Sequence, residues 1–197
     1  MSAATKPLQG SQALSSATHQ RMFIALNIIG GVAVLASYVV GIATHPESSG
    51  AVWGGVPEGL QPLYTISMLL AAVGYFLFTG YILFSLDTSN VRIFGRFGFR
   101  AFSAIYAAIL IPSALWMPLT FQMIETPNSA LWLSIRIVLT VVGVASLALI
   151  ASIATAAPSG ARGARALAIL GALLFSFQTA VLDALVWPAF FPVVAGG

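Results

Sequence analysis

The 197-residue chain contains no cysteine, so disulfides, thiolate metal sites, cysteine nucleophiles and covalent haem attachment are excluded, while the redox compartment stays open. Its single lysine, Lys6, lies near the N-terminus, which excludes a retinal Schiff base within a helix bundle. Only two histidines occur, His19 and His45, and they sit at opposite ends of the first apolar run. They cannot act as paired in-membrane haem ligands or join a di-iron site. Neither paired aspartates nor a Ser–His pair falls inside an apolar run, which removes the usual intramembrane protease designs. No GxGxxG or other phosphate loop is present, and neither a metal nor a cofactor is expected.

Charge is scarce as well. Charged residues make up 7% of the chain and hydrophobic ones 59%, against roughly 25% and 45–50% in soluble domains. With a mean hydropathy of +0.97 the chain reads as an integral membrane protein, not a cytosolic enzyme, nucleic-acid module or disordered regulator.

Five runs are long enough to cross a hydrocarbon core of about 30 Å as helices: 22–44, 62–85, 101–124, 130–155 and 166–190. None alternates as barrel strands do. The predicted fold is all-α, a five-transmembrane-helix bundle over 22–190, with a flexible cytoplasmic tail at 1–21 and a short outer tail at 191–197. The first run, with 23 residues and the poor cleavage site GIATHPE, is read as a retained helix and not a signal peptide.

Orientation follows from the basic residues. Lys6, Arg21, Arg92, Arg96, Arg100, Arg162 and Arg165 fall on one side when five spans alternate, while Glu47, Glu58 and Glu125 fall on the other. The expectation is N-inside, C-outside in a cell membrane, with the bacterial inner membrane as the favoured setting. The computed pI of 9.7 is then a topology signal and implies no nucleic-acid partner. Arg92, Arg96 and Arg100 interleave with Phe94, Phe97 and Phe99 beside a span, a pattern expected to contact lipid headgroups.

Two ionisable groups remain inside spans, Arg136 and Asp183. Counted from the outer ends they lie about 9 and 10.5 Å deep, at 1.5 Å per residue, on consecutive antiparallel helices. An ion pair between them is therefore expected, either fixing helix register or lining a polar cavity, with an unpaired Arg136 that snorkels to the interface as the remaining alternative. Ser176, Thr179, Asp183 and Trp187 form one helical stripe, and Ser113, Trp116 and Thr120 another, with Gln122 and Glu125 near the same end. Trp116 lies between Pro112 and Pro118, where a bent helix can open a gap. Tyr64, Met68, Tyr75 and Thr79 share a face of the second helix. The candidate ligand-binding residues are Asp183, Arg136, Trp116, Thr120, Gln122, Thr179, Trp187 and Tyr64. Asn27 is read as an interhelical hydrogen-bonding group, and Ala33, Ser37 and Gly41 as a small-residue packing face.

The stretch FQTAVLDALVWPAFF resembles, over about fifteen residues, a segment of the tryptophan-rich sensory protein and translocator family, five-helix proteins that bind apolar aromatic ligands. Here the stretch falls in the fifth helix instead of the third. Asp183 stands where that family has Asn, and Gln178 and Trp187 are two residues too far apart, so no residue is carried over.

Three functional classes follow. The first is a small-molecule or lipid binding or transport module with an outward-facing polar and aromatic cavity, taking a small apolar or amphipathic ligand. The second is a structural or accessory subunit, as a homo-oligomer or within a larger membrane complex. The third and least favoured is an intramembrane enzyme restricted to Asp183, Glu125, Arg136 and tyrosines.

Overall fold

The computed structural model describes residues 6–191, with side chains from residue 17 onward; the remaining parts of the two expected tails lie outside the described residues. Five helices are long and apolar enough to cross a membrane: Ala17–Thr44, Glu58–Phe84, Arg100–Glu125, Ser129–Thr155 and Arg162–Phe190. The elements are α1 (Lys6–Thr44), α2 (Gln61–Phe84), α3 (Arg100–Glu125), α4 (Ser129–Thr155), α5 (Arg162–Ser176) and the short α6 (Trp187–Phe190). A π-helical stretch, Phe177–Val186, joins α5 to α6 within the fifth span. Residues 6–21, expected as tail, are helical, because α1 begins at Lys6.

The packing order departs from chain order at α2, which lies against α5 and leaves α1 against α3. α1 packs on α3, α3 on α4, α4 on α5, and α5 on α2. The ring closes through polar contacts between α1 and α2: Tyr75 Oη donates to Asn27 Oδ1 (2.6 Å), and Gln20 Nε2 donates to the Leu83 carbonyl (3.4 Å). Asn27 is thus an interhelical bridge, as its sequence position implied.

In lipid, helix association rests on close packing and hydrogen bonds instead of water exclusion. Gly74 of α2 and Gly171 of α5 show the packing: a Cβ on either would collide with the backbone of the other. Gly41 and Gly30 serve the same purpose on α1, where a Cβ would meet Phe121 and Leu110 of α3 at 2.7 and 2.8 Å. The small-residue face of α1 is therefore used at Gly41 inside the chain.

The loops define two ends. At the basic end Arg92 and Ala157 exchange backbone hydrogen bonds (2.7 and 2.9 Å), tying the 85–99 loop to the α4–α5 connection. At the acidic end the 45–61 loop folds over the bundle: Gly55 N–H donates to the Phe190 carbonyl (3.0 Å), and Trp187 Nε1 donates to the Val52 carbonyl (3.0 Å). Each end has its own core. Phe23, Phe78, Phe99, Phe102 and Tyr106 centre the basic one, and Tyr64, Ile135, Leu182, Trp187 and Phe191 the acidic one.

Candidate functional site

Two spans carry internal prolines, and the fifth also departs from α-helical geometry. In α3, Pro112 and Pro118 each lack an amide donor, and Ser113 and Thr120 hydroxyls bond back to the Ile109 and Trp116 carbonyls (2.7 and 2.8 Å). In the fifth span, Pro188 lacks an N–H and its ring crowds the carbonyl four residues back. The chain responds one turn earlier with π geometry, the Trp187 N–H reaching the Leu182 carbonyl five residues away. Tyr64 Oη donates to that same carbonyl at 3.1 Å.

The π stretch decides what Asp183 meets. In an α-helix residues five apart point about 140° away from each other. Here Gln178 and Asp183 are adjacent, and Gln178 Nε2 donates to Asp183 Oδ1 at 2.7 Å. The second carboxylate oxygen has no hydrogen-bond partner among the described residues. Asp183 lines a cavity of about 40 Å³ together with Tyr38 of α1, Pro112, Ser113 and Trp116 of α3, Leu139 and Val142 of α4, and Thr179. At roughly 10–15 Å³ per water this space holds a few water molecules.

Among the described residues four buried side-chain atoms lack a hydrogen-bond partner: Trp116 Nε1 on the cavity-lining residue of α3, Ser176 Oγ and Gln178 Oε1 in the part of the fifth span leading to Asp183, and Tyr81 Oη. An unpartnered buried donor costs about 1–3 kcal/mol, so a guest that can pair with it is favoured.

Aromatic rings wall the acidic end. Trp116 packs edge-on to Trp187 (5.8 Å) and tilted against Tyr38 (5.8 Å), while Trp132 stacks on Phe191 (5.5 Å). A separate, larger groove of about 250 Å³ lies between α1 and α3, lined by Ser37, Val40, Gly41, Thr44, His45, Pro118, Phe121, Gln122 and Glu125. At its mouth His45 Nε2 and Glu125 Oε1 lie 3.0 Å apart, with the imidazole stacked 4.3 Å over Phe121.

The candidate residues therefore separate. Asp183, Trp116 and Thr179 converge on the cavity, whereas Gln122 lines the separate groove between α1 and α3. Thr120 is fully buried and bonds within its own helix, Trp187 is buried and holds the 45–61 loop, and Tyr64 ties α2 to the π stretch. Tyr75 and Thr79, expected on the face of Tyr64, bond instead to Asn27 and Tyr106.

The expected Arg136–Asp183 ion pair does not form; among the described residues no Arg or Lys lies within ion-pair distance of a carboxylate, and the one close contact of this kind is His45 Nε2 with Glu125 Oε1. Ile135 and Leu139 occupy the inward face of α4, leaving Arg136 about 100° around the helix, exposed, with its guanidinium 5.9 Å from the Trp132 ring. Matched depth was right as arithmetic, but rotation separates the two groups. Tyr38 and Gln178 are the site residues that sequence reasoning missed. The one signal that pointed to Gln178 was Pro188, which disturbs the helix a turn before it.

The fold is all-helical, with five helices long and apolar enough to cross a membrane, and Asp183 and Trp116 line one interhelical cavity. No family model, no curated protein and no solved structure matches the chain.

Proposed function

We propose that this protein is a multi-pass cell-membrane module that binds a small amphipathic molecule in an outward-facing cavity on the α1–α3 seam. The observation that carries the reading is the meeting of the Asp183 carboxyl and the unpartnered Trp116 indole N–H in one cavity. Both hydrogen-bonding senses are available there, beside aromatic walls, the usual make-up of a small-molecule site. The cavity of about 40 Å³ has room only for the polar tip of a ligand.

The orientation that goes with this reading is N-inside, C-outside, from the segregation of basic residues to one end. Single cysteines test it cleanly in a chain that has none. In intact cells Ser48→Cys is labelled by an impermeant maleimide and Ser159→Cys is not; the reverse pattern inverts the orientation.

Binding is tested by thermal shift of the purified protein against a panel of small amphiphiles. The expected result is a ligand-dependent rise in Tm that Asp183→Asn and Trp116→Ala abolish while both variants stay folded. Equal shifts in wild type and both variants would rule the site out. A second reading, an accessory subunit of a larger membrane assembly, draws on α1, which packs along one side only and leaves Ile28, Ile29, Val32, Leu35 and Val39 exposed.

A further inference from the structure

The basic end carries a feature that ligand binding does not use. Residues 91–100 form a tight hairpin: Ile93 and Phe97 exchange backbone hydrogen bonds (2.8 and 3.0 Å), and the Arg96 N–H returns to the Ile93 carbonyl (3.2 Å). The turn places Phe94 at φ 52 and Gly95 at φ 72. Glycine adopts that conformation freely, whereas a bulky residue there is a strained outlier that its surroundings must hold in place. Val91, Ile93 and Phe99 are buried in the core beneath, and the Phe94 N–H donates to Thr155 Oγ1 (3.3 Å).

This anchoring presents a set outward surface. Phe94 and Phe97 are 51% and 44% exposed, and Arg92, Arg96 and Arg100 are exposed beside them. The Arg96 guanidinium sits 4.4 Å from the centre of the Phe97 ring. Arg21, Arg162 and Arg165 lie at the same end, against one acid, Asp87. Asp87 is taken up locally: its carboxylate accepts from the Ser89 hydroxyl and N–H (2.5 and 2.9 Å) and from Asn90 Nδ2 (2.7 Å). Six arginines at one end are thus left without an acidic side-chain partner.

We infer that this hairpin is a docking surface for anionic phospholipid headgroups of the adjacent leaflet. Phe94 and Phe97 enter the boundary between headgroup and acyl chain, and the guanidinium groups of Arg92, Arg96 and Arg100 pair with lipid phosphates, for which their planar forks are suited. Charge complementarity selects the occupant: an anionic surface matches the excess of arginine, and a zwitterionic one does not. A rigid hairpin loses little freedom on docking, which gives the strained Phe94 conformation a use.

The test uses the full chain purified in a nonionic detergent and reconstituted into phosphatidylcholine nanodiscs with or without 30% phosphatidylglycerol. Native mass spectrometry counts retained lipids, and Tm reports stabilisation. Wild type retains phosphatidylglycerol in preference to phosphatidylcholine and is stabilised by it, less so at high salt. The Arg92→Gln, Arg96→Gln, Arg100→Gln variant loses on the order of a hundredfold in that preference. The corresponding triple lysine variant keeps most of it, which separates charge loss from misfolding. Phe94→Ala with Phe97→Ala weakens retention of either lipid. Equal retention of the two lipids by wild type, or undiminished preference in the triple Gln variant, overturns the proposal.

Discussion

The two ends of the bundle solve the same problem differently. At the basic end Thr79 pairs with Tyr106 at 2.8 Å and Tyr75 with Asn27 at 2.6 Å, and Tyr81 Oη is the one buried side-chain atom left unpaired there among the described residues. Aromatic rings fill the rest, Phe23 lying 4.5 Å from Tyr106 and Phe78 5.5 Å from Phe175. At the acidic end α3 carries Pro112 and Pro118 within a continuous helix, the fifth span turns π-helical ahead of Pro188, a cavity remains, and Trp116 Nε1 and Gln178 Oε1 are unpaired. A membrane core can be sealed with ordinary polar pairs, so unsealed polar atoms gathered around one carboxylate set the acidic end apart as the place for a guest.

That difference is open to direct attack. The largest effect is expected at the sealed end, where Phe102→Ala removes a fully buried ring and costs about 3–5 kcal/mol in chemical denaturation. The partly exposed Trp116 carries the converse expectation: Trp116→Ala costs clearly less than Phe102→Ala yet abolishes the ligand response. A larger stability loss at Trp116 would erase the distinction.

Single-atom changes sharpen it. Tyr106→Phe strands the Thr79 hydroxyl and costs about 1–2 kcal/mol. Asp183→Asn keeps an acceptor for Gln178 while removing an ionisable group that has no counter-ion, so stability is unchanged or higher. A marked destabilisation by Asp183→Asn would instead indicate a structural ion pair. Pro188→Ala restores the amide whose absence accompanies the π geometry; stability changes by less than about 1 kcal/mol, but Asp183 turns away from Gln178 and the thermal shift with ligand is lost.

The smallest effect is at the exposed Asp87 turn. Hydrogen bonds from the Ser89 hydroxyl and backbone and from Asn90 hold this carboxyl below its ordinary value of about 3.9. A depressed folded-state pKa means the turn's contribution is complete above about pH 4 and is lost as pH falls through the folded value. Faster amide exchange at Ser89 and Asn90 in acid, absent from Asp87→Asn, is the expected signature.

Much of the architecture was legible because the bilayer imposes a length rule that hydropathy obeys. The five spans fall within a few residues of the helices, apart from the start of the first. Asn27 and Trp116 were also readable, the one as a lone polar group on an apolar helix and the other through its flanking prolines. Helix rotation was not. Asp183 was matched with Arg136 by depth alone on an assumed period of 3.6, and the ten π residues Phe177–Val186 break that period just where the site is built. Tyr38 carried no signal at all, because its partners come from α3 and the π stretch, elements whose packing against α1 is set by the whole bundle.

Water access beside Asp183 is the most direct test of this account, and the cysteine-free chain allows it to be measured without background. Ser113→Cys, in the cavity, and Val144→Cys, on the exposed apolar face of α4, are each treated with Ag⁺, an ion small enough for a water-sized space, and free thiol is then counted by maleimide. The account predicts that Ser113→Cys is blocked rapidly, that a bound amphiphile slows the reaction, and that Val144→Cys stays unreacted. Equal rates at the two positions, with no protection by ligand, would contradict it.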